Sequence, residues 1–211
     1  MIQFLGFLKN PLVKFVANKT MGDDDGRTLA DTIPDDASQD PFANLHDNDL
    51  NESLVAWVNK LDKQYQEYMW TPRITFAGLL DVPDNNGETL TQSPVFALGV
   101  DFLSNNSTQF EVWNLHDKIT KGKVFSNENE ILLSEKLAER LNISPGNVVT
   151  FIGSTMDGAF STYNFLVSGI FNLNLGPIDK DMMIVDIKGA EIALDMENAA
   201  SEILGYKKDL F

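Results

Sequence analysis

The stretch that most restricts the fold runs from Lys121 to Gly153, KGKVFSNENEILLSEKLAERLNISPGNVVTFIG. Gly122 offers a turn, and Glu130-Ile131-Leu132-Leu133 is a short apolar strand. Ser134 stands where a hydroxyl can cap a helix on a free backbone N–H. Leu137, Ala138 and Leu141 then share one helical face, while Glu135, Lys136, Glu139 and Arg140 fall elsewhere. Asn142 ends the helix, and Pro145-Gly146 makes a tight turn, proline fixing φ and glycine allowing φ > 0. Val148 to Ile152 follows as a β-strand, with Val149 and Phe151 on one face and Val148, Thr150 and Ile152 on the other. By itself this strand–helix–turn–strand unit names no function.

Ahead of it, Leu12 to Ala17 (LVKFVA) reads as a first strand. Asn18 to Asn48 differs in kind: Asp23-Asp24-Asp25, Asp31, Asp35-Asp36, Asp40 and Asp47 lie among prolines and few apolar residues. Such a segment cannot bury enough surface to offset its ordering entropy, so 18–48 is expected to be a long mobile loop. The sharper reading, a calcium loop on Asp23 and Asp25, departs from the EF-hand pattern because Gly26 follows Asp25 at once and Arg27 takes the third ligand place, so the solvated loop is the expectation. Asp49 to Met69 is the best helix, with a capping-box-like Asp49–Glu52 start. Its stripe of Leu50, Leu54, Val58, Leu61, Tyr65 and Tyr68 is a core face.

Thr71 to Asp81 and Ser93 to Phe102 form a hairpin around the turn residues Pro83 to Gly87. Both strands are apolar on nearly all positions, the pattern of strands covered on both faces. Ser104 to Thr108 is a polar break, and Phe110 to His116 a helical turn. After the central unit, Gly158 turns the chain, Thr162 to Phe171 forms a strand, and Asn172 to Lys180 leads onward. Met182 to Asp186 is then a strand, Ile187 to Met196 a helix, and Glu197 to Leu204 a further helical segment stopped at Gly205.

At 211 residues, 43% of them hydrophobic, the chain can build one large or two small cores. A net charge of −15 argues against nucleic acid, whose phosphates need a cationic face. The absence of cysteine rules out disulfides, a thiol nucleophile and thiolate zinc sites. Met1 to Ala17 is interrupted by Lys9, Asn10, Pro11 and Lys14 and falls short of the ~20 apolar residues of a spanning helix. Catalytic candidates fail on spacing. His116-Asp117 lacks a serine on a nucleophile elbow, Ser134-x-Lys136 is one residue short of S-x-x-K, and there is no P-loop. No catalytic, cofactor-binding or metal residue is assigned.

Taken together, several pieces carry a resemblance. They are Gly122, Glu130-x-Leu132-Leu133-Ser134-x-x-Leu137-Ala138-x-x-Leu141 and Pro145-Gly146-Asn147-Val148. Upstream stand Arg73-Ile74-Thr75-Phe76-Ala77-Gly78-Leu79 and Val95 to Asp101; downstream, Val167-Ser168-Gly169-Ile170-Phe171 and Met183 to Met196. In order and spacing, from about Pro72 to Leu204, this set resembles the MacB-like periplasmic core domain of FtsX-type ABC transporter permeases, which include macrolide-efflux and lipoprotein-releasing systems.

The resemblance implies an α+β protein of two lobes. A helix-on-mixed-sheet lobe would span 1–105 and 176–211, with a β-rich lobe, 106–175, inserted in it. It implies an extracytoplasmic (periplasmic) domain of an inner-membrane protein, set between the first two membrane helices and without chemistry of its own. Such a domain couples ATP-driven movement of membrane helices to cargo. The implied partners are the rest of the permease, its ATPase subunit, a second copy or paralogue, and an envelope or outer-membrane protein or lipoprotein cargo. No cofactor and no nucleic acid are implied. The alternative is a free-standing envelope binding protein for a lipid, peptide or lipoprotein. One departure stands out: the family's first lobe closes with a further strand, which this chain is expected either to lack or to replace with Met1 to Lys9. A lever that docks partners needs exposed apolar surface. Phe160 and Tyr163 beside the Gly158 turn, and Leu173 and Leu175 beyond the following strand, are the candidate docking surface; the other reading makes all four core residues, and exposure decides.

Overall fold

The computed structural model describes residues 2–5, 54–84, 86–105, 107–155, 158–176 and 179–207. The expected strand at 12–17, the acidic segment 18–48 and the start of the expected first helix lie outside the described residues. In chain order the elements are β1 (Ile2–Leu5), α1 (Leu54–Gln64), β2 (Tyr68–Pro83), β3 (Thr89–Val100) and α2 (Gln109–Val112). A 3-10 turn (Leu115–Lys118), β4 (Ile119–Gly122), β5 (Glu130–Ser134), α3 (Glu135–Leu141), β6 (Val148–Ser154) and β7 (Phe160–Phe171) follow. The last are β8 (Met182–Asp186), α4 (Ile187–Leu194) and β9 (Glu202–Lys207).

The strands make one mixed sheet in the order β1-β9-β2-β3-β8-β5-β7-β4, and β6 pairs with both β2 and β7. That double pairing closes a circuit, β2-β3-β8-β5-β7-β6, in which β3–β8 and β5–β7 are parallel and the other pairs antiparallel. The inner face of the circuit packs on α3 and α4, α4 touching β2, β3, β6, β7 and β8. Strand alternation decides which side chains go there. Ile74 and Leu80 of β2, Val95 and Ala97 of β3, Val149 and Phe151 of β6, and Phe165 and Val167 of β7 meet Leu137, Leu141, Ala190 and Leu194 of the helices. A second core lies on the outer side, where Leu98, Val100, Leu132 and Ile184 are covered by Phe102, Phe110, Trp113 and Leu115. The third seats α1, through Leu54, Val58 and Leu61, on Trp70 and Ile203.

The central unit folds as its sequence directs, with one exception. Leu137, Ala138 and Leu141 are buried, Asn142 closes α3 in the left-handed region, and Gly146 has φ +97°. Ser134 holds the N-cap position, but its hydroxyl does not cap; it donates instead to the Lys180 carbonyl across 3.4 Å. By contrast Asp186 does cap α4, accepting from Lys188 N–H at 2.9 Å.

Three local expectations change. The expected 49–69 helix stops at Gln64, and Tyr68 to Thr71 instead extend β2 by pairing with β9. Glu197 to Leu204 is not a helical segment: its end belongs to β9, whose Glu202 accepts from the Arg73 Nε–H of β2 at 2.6 Å. A strand, β9, thus follows α4 and pairs with β2, and of the 1–9 segment Ile2–Leu5 pairs with β9 as a further strand. The short lysine-bearing β4, which shows no alternation of its own, is held in the sheet by pairing with β7.

Strands from 106–175 and from its flanks alternate around the same sheet: β5 lies between β7 and β8, and β6 joins β2. Leu103 and Leu173, beside the two polar connections, pack on the same outer core.

Candidate docking face

Where β3, β2, β6 and β7 run side by side as an antiparallel sheet, the registers define rows of side chains on the outer face. Pro94, Leu79, Ile152 and Thr162 stand opposite one another in one row. Gln92, Asp81, Thr150 and Asn164 form the next, and Phe96 faces Ala77 on the other side. Inner positions of the same strands fill the main core, so these outer positions are fixed by the period of two.

The cover over the outer face stops at Leu98. Leu98 itself is 7% exposed, while Phe96, two residues earlier on β3, is 41% exposed. Leu79 is 39% exposed, Val148 51% and Phe160, opposite Ser154 at the start of β7, 76%. The hairpin strands are thus covered on both faces over only part of their length, and the remainder presents an apolar surface to solvent. The polar row is linked across its strands, Gln92 Nε2 donating to Asp81 Oδ1 at 2.9 Å and Thr150 Oγ1 to Asn164 Oδ1 at 2.8 Å.

Two local devices hold the face in place. Gly78 and Gly153 flank the inward Phe151 ring; a Cβ on Gly78 would lie 2.5 Å from the Ile152 carbonyl and 2.6 Å from that ring. Only glycine lets β2 approach β6 so closely. At the start of β7, Ser161 Oγ donates to the Ala193 carbonyl at 2.5 Å, which ties the strand next to Phe160 to the end of α4.

The four residues singled out from sequence separate. Phe160 points outward and joins the face. Tyr163 has the opposite parity: it packs half-buried against the main core, its ring 4.7 Å from that of Phe165. Leu173 is half-buried on the outer core, and Leu175 is exposed beyond the far end of β7, roughly 36 Å of strand from Phe160. Leu79, Phe96 and Val148 were not singled out; their signal was alternation with inward residues, which names a face without saying whether anything covers it. His116, the histidine beside Asp117, stacks on Phe110 at 5.3 Å, while Asp117 accepts from Asn114 Nδ2 at 3.0 Å.

No family model matches the chain. Among solved structures, the extracellular domain of the noncanonic ABC-type transporter YknZ from Gram-positive bacteria superposes with a TM-score of 0.50 at 15% identity, over 75% of this chain and 79% of that one. The fold is that of a MacB-like periplasmic domain. The periplasmic region of MacB from Actinobacillus actinomycetemcomitans gives a TM-score of 0.48 at 16% identity, over 77% of this chain and 69% of that one. In this fold the open face belongs to the closed circuit of strands itself, and among the described residues no helix is long and apolar enough to cross a membrane.

Proposed function

We propose that the chain is the extracytoplasmic domain of an ABC transporter permease, a non-catalytic lever that carries ATP-driven motion of membrane helices to an envelope partner or cargo. The observation that carries this reading is the open apolar face built on β3, β2, β6 and β7 of a transporter-type fold. A monomeric domain normally hides such side chains, and Phe160 at 76% exposure is the natural anchor. The pairing of β1 with β9, Ile2 opposite Gly205, supports the same reading. It brings the two outermost described strands side by side, as a domain carried between two neighbouring membrane helices requires.

In this reading the stretch 106–175 is the working lobe, because it supplies β6 and β7 and hence Phe160 and Val148. The segments 1–105 and 176–211 are the lobe nearer the membrane. The rest of the permease, its ATPase subunit, a second copy or paralogue, and an envelope protein or lipoprotein cargo are the partners. Photo-crosslinking from position 160 in cells producing the intact transporter tests it. An adduct with a second copy or an envelope protein that disappears with a probe at the half-buried 163 position is the expected result. No adduct at 160, or equal labelling at both positions, refutes it.

A further inference from the structure

Away from the open face, a cleft of about 1110 Å³ lies between α1, the start of β2, the segment after β3 and the first turn of α4. Its walls have two chemistries. Leu54, Val58 and Trp70 line one side with apolar surface. Among the charged lining residues carboxylates prevail: Asp62, Asp101, Glu128, Asp186 and Glu191, against Lys63 and Lys188. Lys188 is already engaged, its Nζ 2.7 Å from Glu191 Oε2. Asp186 is consumed by three backbone N–H groups and Asp101 by Ser104. Asp62 and Glu128, one on α1 and the other before β5, are exposed and make no hydrogen bond or ion pair among the described residues. Glu128 is nonetheless firmly placed, because its carbonyl abuts Gly189 where no side chain would fit.

A second observation points to a ligand. Gln109 lines the cleft, is 3% exposed, and its Oε1 has no hydrogen-bond partner among the described residues. A buried amide oxygen left without a donor is costly, and a donor arriving with a ligand removes that cost. The spacing limits what the ligand can be. Among the described residues no three acidic or histidine side chains converge closely enough to hold one metal ion. Carboxylates on separate elements, Asp62 on α1 and Glu128 before β5, in a cleft that also has apolar lining suit positive charges spread along a methylene chain.

We propose that this cleft binds a linear polyamine, with ammonium groups on Asp62 and Glu128, an N–H on Gln109 Oε1, and methylenes along Leu54, Val58 and Trp70. The test is calorimetric titration of the protein with spermidine at an ionic strength of about 0.1 M, where long-range attraction to a −15 chain is largely screened. One saturable site is expected, at least about ten-fold weaker in the Asp62→Asn/Glu128→Gln double variant. A control double variant, Glu139→Gln/Glu197→Gln, removes the same charge from exposed positions outside the cleft and is expected to bind as the parent does. Gln109→Met, which keeps the charge and nearly the shape, is expected to bind several-fold more weakly; if its unfolding midpoint falls, the double variants decide. Equal weakening in both double variants, undiminished binding by a stably folded Gln109→Met, or magnesium binding as tightly as spermidine overturns the proposal.

Discussion

Asp186→Ala should be among the most destabilising single changes in the chain, although it deletes only a small carboxylate. Asp186 is 2% exposed and stands where β8 ends and α4 begins. Its Oδ1 accepts from Lys188 N–H at 2.9 Å, and its Oδ2 from Phe102 N–H at 3.0 Å and Leu103 N–H at 2.9 Å. Alanine removes the helix cap, worth about 1 kcal/mol. It also strands two backbone donors beside the outer core, each at about 1–3 kcal/mol. The carboxylate's own desolvation cost, which raises its pKa, is recovered and offsets part of this. The net loss is about 2–5 kcal/mol, or roughly 4–20 °C in melting temperature for a chain of this size. Urea unfolding followed by tryptophan fluorescence measures it. Asp186→Ser separates the parts, since a serine can still cap Lys188 but is too short to reach Phe102 and Leu103; it should recover about 1 kcal/mol. A loss under about 1 kcal/mol for alanine, or full recovery by serine, would show that the Phe102–Leu103 connection is not held by Asp186.

Burial raises the folded pKa of Asp186 and Glu191 above the unfolded value, so the folded state takes up protons first and stability from these groups falls as pH rises through that window. Relative to an Asp186→Asn/Glu191→Gln variant, the parent should therefore gain stability as the pH is lowered from neutral toward the ordinary carboxylate range in urea titrations; a parallel pH response in both refutes the assignment. Gly78→Ala should cost about 1–3 kcal/mol, because its Cβ meets the Ile152 carbonyl and the Phe151 ring, and an unchanged urea midpoint would mean that β2 and β6 part easily.

What the sequence determined by itself was whatever a short segment can settle alone. The Lys121–Gly153 unit needs only Leu137, Ala138 and Leu141 on one helical face, a left-handed Asn142 and the Pro145-Gly146 turn, all within a few residues of one another. The β2–β3 hairpin likewise follows from the Asp84–Gly87 turn, whose Asp84 Oδ1 accepts from Asn86 and Glu88 N–H groups. The ordered motifs were enough to indicate the MacB-like fold. Only the tertiary structure decided matters that depend on a distant partner. Glu202 to Lys207 carries residues compatible with helix or strand, and became β9 because an edge of β2 was open to it. Ser134 gave its hydroxyl to Lys180, a residue 46 positions away, rather than to its own helix. The docking face is the clearest case. Alternation along β7 already puts Phe160 and Tyr163 on opposite faces, but the side left open is set by where the Phe102–Leu115 segment stops covering the outer core. Burial is a property of what lies above a side chain, and for a strand that neighbour comes from elsewhere in the chain.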